Sequence, residues 1–168
     1  MTRRAAMRAM SRVASILLLA ALAPALAQSP PAADATAEAP ARPGTGNAWI
    51  DARLRDMDGY AARYRDAFVD EIVRYHEAPR ALVEDALADD AIPAGEVYFA
   101  CALAQATGRA CRTLVELRRA HPAADWKTLA ERLDPAPDAG IYRRIRGDIT
   151  ESYVRWARPL GAVAAPRR

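Results

Sequence analysis

Cys101 and Cys111, ten residues apart and the chain's only cysteines, are the side chains whose type and spacing most directly invite chemistry. Two thiols can close a disulfide, contribute to a metal site or exchange electrons. The redox role calls for a Cys-x-x-Cys spacing, which this pair lacks. His76 and His121 each stand alone, with no His-x-x-x-His partner. A zinc site needs three or four convergent ligands, so no metal site is expected. The acidic pairs Asp70-Glu71, Glu84-Asp85 and Asp89-Asp90 hold the functional groups of glycoside chemistry. Adjacent helical residues point in different directions, so these pairs read as solvated faces. Neither a phosphate-cradling Gly-rich loop nor a Gly-x-Ser-x-Gly elbow occurs. The sequence therefore supplies no catalytic residue and no cofactor.

What the cysteines do depends on compartment. Arg3 to Arg12 forms a positive leader, Val13 to Ala23 an apolar run of eleven residues, and Ala25-Leu26-Ala27 a small-x-small site. Residues 1–27 are thus expected to be a signal peptide, cut between Ala27 and Gln28. The apolar run is shorter than the roughly 20 residues a bilayer-spanning helix needs. Arg3-Arg4 lacks the residues that follow a twin-arginine pair, and no cysteine stands near the cut for lipidation. The expected destination is the periplasm or the medium, where an even cysteine count favours a structural Cys101–Cys111 disulfide.

The same segment changes the charge. The whole chain has a net charge of +3, but four arginines lie in residues 1–27, leaving 20 basic and 21 acidic groups. Residues 28–138 carry 13 basic and 19 acidic groups, and residues 139–168 carry 7 and 2. The body is acidic and the end basic, which excludes a uniformly basic nucleic-acid-binding surface.

The elements that must position these groups are helical. Residues 28–46, rich in Pro and Ala, read as a linker, and residues 161–168 as a disordered tail. Residues 47–160 should form the domain. Ile50, Leu54, Met57, Ala61, Tyr64, Phe68, Ile72 and Tyr75 trace the stripe of one long amphipathic helix that Gly59 could bend or divide. Pro79 opens a second helix and Pro93 a third, which Gly108 ends in a left-handed conformation. Cys111 to His121 is a fourth; Asp125 caps a fifth through Trp126, Leu129 and Leu133; and a sixth runs from Ile141 to about Ala157. The expected fold is all-α, a small bundle of five or six short crossed helices with a corner around Gly108.

The run GEVYFACALAQATGRACR, Gly95 to Arg112, followed by an apolar helix and then Trp126 with LAERL, carries a likeness to a known group. It resembles an uncharacterised family of small bacterial exported proteins. In them a Pro-Arg helix start, a Gly-x-Val-Tyr-[Tyr/Phe]-Ala-Cys-Ala-Leu-Ala run and a Trp-x-x-Leu-Ala helix occur in that order. The likeness spans about Phe68 to Leu133, and the Gly-Ile-x-Pro-Gly-Ser stretch that follows in relatives is not reproduced by Asp134 to Gly140. It implies a helical fold and export, and no activity.

Two surfaces remain as leads. Ala104, Gly108, Leu114 and Leu117 have the spacing of a helix-turn-helix. A plain αα-corner needs the same residues, Cys111, Thr113 and Glu116 make a poor recognition surface, and no nucleic-acid partner is expected. The last helix carries Arg143, Arg144, Arg146 and Arg155 beside Tyr153 and Trp156, and could meet an anionic membrane or a protein partner in the envelope. Its simplest role is to close the acidic body of its own domain. The expected function is a non-enzymatic interaction or accessory module, the alternative a small envelope enzyme using acidic side chains on a cell-wall polymer.

Overall fold

A computed structural model describes residues 44–88 and 92–161, which belong to one compact unit, residues 39–168. The proposed signal and its Ala27/Gln28 cut, most of the linker, Asp89-Asp90 and residues 162–168 lie outside the described residues.

Seven helices and no strand occur among the described residues: α1 Ala48–Arg63, α2 Arg65–Tyr75, α3 Arg80–Ala86, α4 Ala94–Ala106, α5 Cys111–Ala120, α6 Trp126–Glu131 and α7 Ala139–Arg155. The chain is an all-α helical bundle. Its centre is α4, where every residue from Gly95 to Ala104 is buried. A helix apolar on all sides has no face to give to water and is surrounded, here by α5, α1 and α7. Gly95 fixes the α1 crossing, since a Cβ there would come within 2.1 Å of the Leu54 carbonyl oxygen. Its N–H donates to Asp58 at 2.8 Å.

The long first helix divides, but at Tyr64 instead of Gly59. Residues 62–67 are all exposed, so the helix has left the core before Tyr64, whose φ of −134° and ψ of 52° break it. The bend lets α2 return with Phe68, Val69 and Ile72 buried. Gly59 stays helical and exposed, and Tyr64 and Tyr75 leave the predicted stripe, at 57% and 45% exposure. Asn47 caps α1 by accepting from the N–H groups of Trp49 and Ile50.

The two turns around α6 differ from expectation in a related way. Asp125 stands at the head of α6 but makes no side-chain cap; its carboxylate accepts from the N–H of Gly44, while the Gly44 carbonyl accepts from Lys127. Thr45 is 2% exposed and donates to Asp51. Ordered packing therefore begins ahead of Asn47. Asp138 caps α7 at the N–H of Ile141, so that helix starts two residues before the expected Ile141. Gly108 has the left-handed φ of +67° expected at the α4–α5 corner. There Ala104 and Leu114 are buried, and Cys101 and Cys111 sit at disulfide distance, with Cα atoms 4.3 Å apart.

Candidate functional site

The segment that stands out in the sequence is consumed by the core. Glu96, 1% exposed, accepts from the Arg118 guanidinium and, at 3.1 Å, from the indole N–H of Trp126. Arg118 also donates to the carbonyls of His121, Pro122 and Ala124, so one buried ion pair holds α5 and the turn into α6 against α4. Tyr98 shares a hydrogen with Ser152 at 2.8 Å, and Gln105 bonds His76 Nδ1 at 3.0 Å. These contacts run from α4 to helices on two sides of it.

A second buried polar group joins α2 to α7. Glu71, expected on a solvated face, is 4% exposed and accepts from the Ser152 hydroxyl at 2.6 Å and from Arg155. Arg155 lies 3.7 Å over the Tyr75 ring. Burial alone would lower the Arg155 pKa, but its bonds to Glu71 raise it above the usual value. His76 is likewise a core residue, 4% exposed and edge-on to Tyr98, with no partner at Nε2. Burial pushes its pKa down, against the Gln105 bond and the nearby Asp148. Burial pushes the Asp148 carboxyl up, with His76 and Arg144 opposing. His121 sits at the end of α5, its Nδ1 3.1 Å from the Leu117 carbonyl.

Outside these networks, α1 and α7 run beside each other in the same direction. Arg146 lies 4.9 Å over Trp49, Tyr153 donates to Asp56, Arg158 pairs with Asp56 at 2.9 Å, and Trp156 stacks on Tyr60 at 4.3 Å. A cleft opens at each end of the pair.

At the N-terminal ends a cleft of about 540 Å³ is lined by Thr45, Gly46, Asn47 and Lys127, by Glu131 and Pro137, and by Ala139, Tyr142, Arg143 and Arg146. Arg143 and Arg146 are exposed and have no ion-pair partner among the described residues. Lys127 reaches Glu131 only at 3.9 Å across the surface, a pair worth roughly 0–1 kcal/mol. The lining carries three cations and one carboxylate. Burial, with Glu131 and Asp51 nearby, raises the pKa of the Tyr142 hydroxyl, so it stays a neutral donor. Oxygens of an anion could be met here from two helices at once.

At the C-terminal ends a cleft of about 530 Å³ is lined by Asp56, Gly59, Tyr60, Arg63, Tyr64, Trp156, Ala157 and Arg158. Burial would raise the Asp56 carboxyl, but the bonds from Tyr153 and Arg158 hold it below the usual carboxylate range. Trp156 Nε1 and Arg158 Nη1 are buried without a partner. A donor left so costs roughly 1–3 kcal/mol.

The six residues expected on a contact face of the last helix therefore separate. Arg143, Arg144 and Arg146 are exposed, and two of them enter the first cleft. Tyr153 is 2% exposed, Arg155 is paired with Glu71, and the Trp156 ring is packed on Tyr60. Tyr153 is thus taken up by the core, whereas Trp156 is only partly buried and lines the second cleft. Lys127 was missed, since nothing in its sequence surroundings ties α6 to α7. Among the described residues no group of three or more His, Cys, Asp and Glu could hold a metal ion, and no helix is long and apolar enough to cross a membrane.

These features define a helical domain whose interior joins its helices through buried polar pairs, with two clefts on its α1/α7 side. Compared with known families, curated proteins and solved structures, the chain matches none.

Proposed function

We propose that this is a non-enzymatic, exported interaction module that engages an acidic protein partner through the cleft between α6, the residues that lead into α1 and the first turns of α7. The observation that carries the reading is the convergence of Arg143 and Arg146, exposed and without carboxylate partners among the described residues, with Lys127 on one cavity. Cations held on rigid helices around a cavity meet acidic side chains with little ordering cost. Glu131 sits among them and can fix register by repelling carboxylates placed wrongly.

An acidic protein suits this cleft better than a membrane surface. A helix lying on lipid needs an unoccupied apolar face, and α7 has committed Ile145, Ile149 and Tyr153 to the core. The alternative of a small enzyme acting on cell-wall polymer needs two carboxylates across one cleft. The two α1/α7 clefts hold one each, Glu131 and Asp56, and Asp56 is tied to Tyr153 and Arg158. Export and membership of the resembling bacterial family belong to the same proposal. They rest on the leader-like residues 1–27 and on the Gly95–Arg112 run.

The test is photocrosslinking in cells from a reactive amino acid at position 142, on the cleft wall. One discrete adduct is expected, absent from the Arg143→Glu/Arg146→Glu variant. An adduct pattern unchanged by that charge reversal would refute the reading. Flotation with anionic vesicles that is lost on the same reversal would replace the protein partner with a membrane.

A further inference from the structure

We infer that the cleft at the C-terminal ends of α1 and α7 is a binding site for an acidic saccharide, whose ring lies on Tyr64 while its carboxylate meets Arg63 and Arg158. The site is separate from the cationic cleft and does not depend on its role.

The first observation is an aromatic wall with one open face. Tyr60 is 9% exposed and stacked on Trp156, whereas Tyr64, 5.1 Å from Tyr60, is 57% exposed. The break between α1 and α2 falls on Tyr64 itself, so the chain gives up helix continuity where it presents this ring. The C–H face of a pyranose packs on such a ring, burying apolar surface while its hydroxyls stay at the edge.

The second observation is the donor set beside the ring. Arg63, in the last turn of α1, is exposed and has no ion-pair partner among the described residues. Arg158, partly exposed on the same wall, gives Nη2 to Asp56, while its Nη1 and Trp156 Nε1 are buried behind the lining. Asp56 is engaged by Tyr153 and Arg158, so it does not neutralise Arg63. The lining carries two cations and one committed carboxylate, which suits a monoanion rich in acceptor oxygens. The space is there as well, since a Cβ built on Gly59 would meet nothing within 4 Å.

The two clefts separate ligand classes. A compact dianion without a ring fits the three cations around Arg143 and Arg146 better, and an uncharged sugar leaves Arg63 unused. A flat aromatic carboxylate shares the charge but lacks the hydroxyls that Asp56 would meet.

The test uses the full chain labelled with nitrogen-15 and titrated with methyl glucuronide, methyl glucoside and benzoate. Methyl glucuronide is expected to give saturable shifts at Gly59, Tyr64 and the Trp156 indole, with methyl glucoside and benzoate each about tenfold weaker. Tyr64→Ala and Arg63→Gln should each weaken the glucuronide about tenfold and leave the melting midpoint in place, because both side chains are exposed. The inference is overturned if the glucuronide gives no saturable shift, if benzoate or the glucoside binds as tightly, or if Tyr64→Ala binds as well as the parent.

Discussion

The Gly95–Arg112 run and the first turns of α7 invert the ranking their sequences suggest. The first holds a Gly, a buried acid, a tyrosine, a glutamine and two cysteines, and each is satisfied inside the domain. The second is a set of unremarkable arginines, yet Arg143 and Arg146, without carboxylate partners among the described residues, converge with Lys127 on one cleft. A distinctive motif can be the signature of a core. What remains for a ligand is the charge the core does not use.

The comparison breaks most directly at Glu96. Truncating one partner of a buried ion pair strands the other charge, at a cost of roughly 3–5 kcal/mol. Glu96→Ala is therefore expected to unfold the domain or to move its urea midpoint strongly downward, while a matching change at Glu131 leaves the midpoint in place. Gly95→Ala follows, since its Cβ would lie 2.1 Å from the Leu54 carbonyl and α1 must move; the expected loss is about 1–3 kcal/mol or more.

Reduction comes next in size. A bond between Cys101 and Cys111 closes a span of ten residues, worth about 2–3 kcal/mol by loop entropy. Reductant should lower the melting midpoint of the parent and leave a Cys101→Ala/Cys111→Ala variant unchanged. Two alkylatable thiols in the protein as isolated from cells without reductant would contradict the bond.

A smaller effect concerns pH. Burial holds His76 below its usual 6.5, so the unfolded chain takes up a proton that the folded one resists. The contribution of the neutral ring is fully present above about pH 6.5 and is lost as pH falls towards the folded value. Asp148, pushed upward by burial, acts in the opposite sense at lower pH, where its protonation favours the folded state. Urea midpoints should therefore fall on mild acidification, and His76→Gln should flatten that fall.

Much of the helical framework could be read from residue types because it rests on local rules. Hydrophobic period marks the helices, Pro79 and Pro93 stand one residue ahead of α3 and α4, and Gly108 takes the left-handed turn. The break at Tyr64 was missed because it follows from where the helix leaves the core, at residues 62–67, a tertiary event without a local breaker. Asp125 was misread because a short-range cap competes with the Gly44 backbone, 81 residues away in the chain. The sites were less legible still. Glu71–Ser152, Tyr98–Ser152 and Asp56–Arg158 join residues 81, 54 and 102 apart, and no periodicity encodes such partners. Arg143 and Arg146 could be named as exposed cations, but their convergence with Lys127 depends on how α6 docks against α7.

The smallest effect on stability carries the largest consequence for the account. Arg143→Glu/Arg146→Glu should lower the unfolding free energy by no more than about 1 kcal/mol, since neither arginine has an ion-pair partner among the described residues and what is lost is the exposed Arg146 contact over Trp49. The decisive measurement is the yield of the position-142 crosslink in that double variant, read beside its folded fraction. The account predicts a fully folded protein that has lost the adduct. A folded protein that keeps it, or one that loses the adduct only because it has unfolded, would contradict a division of the molecule into an inward-paired core and an unspent cationic cleft.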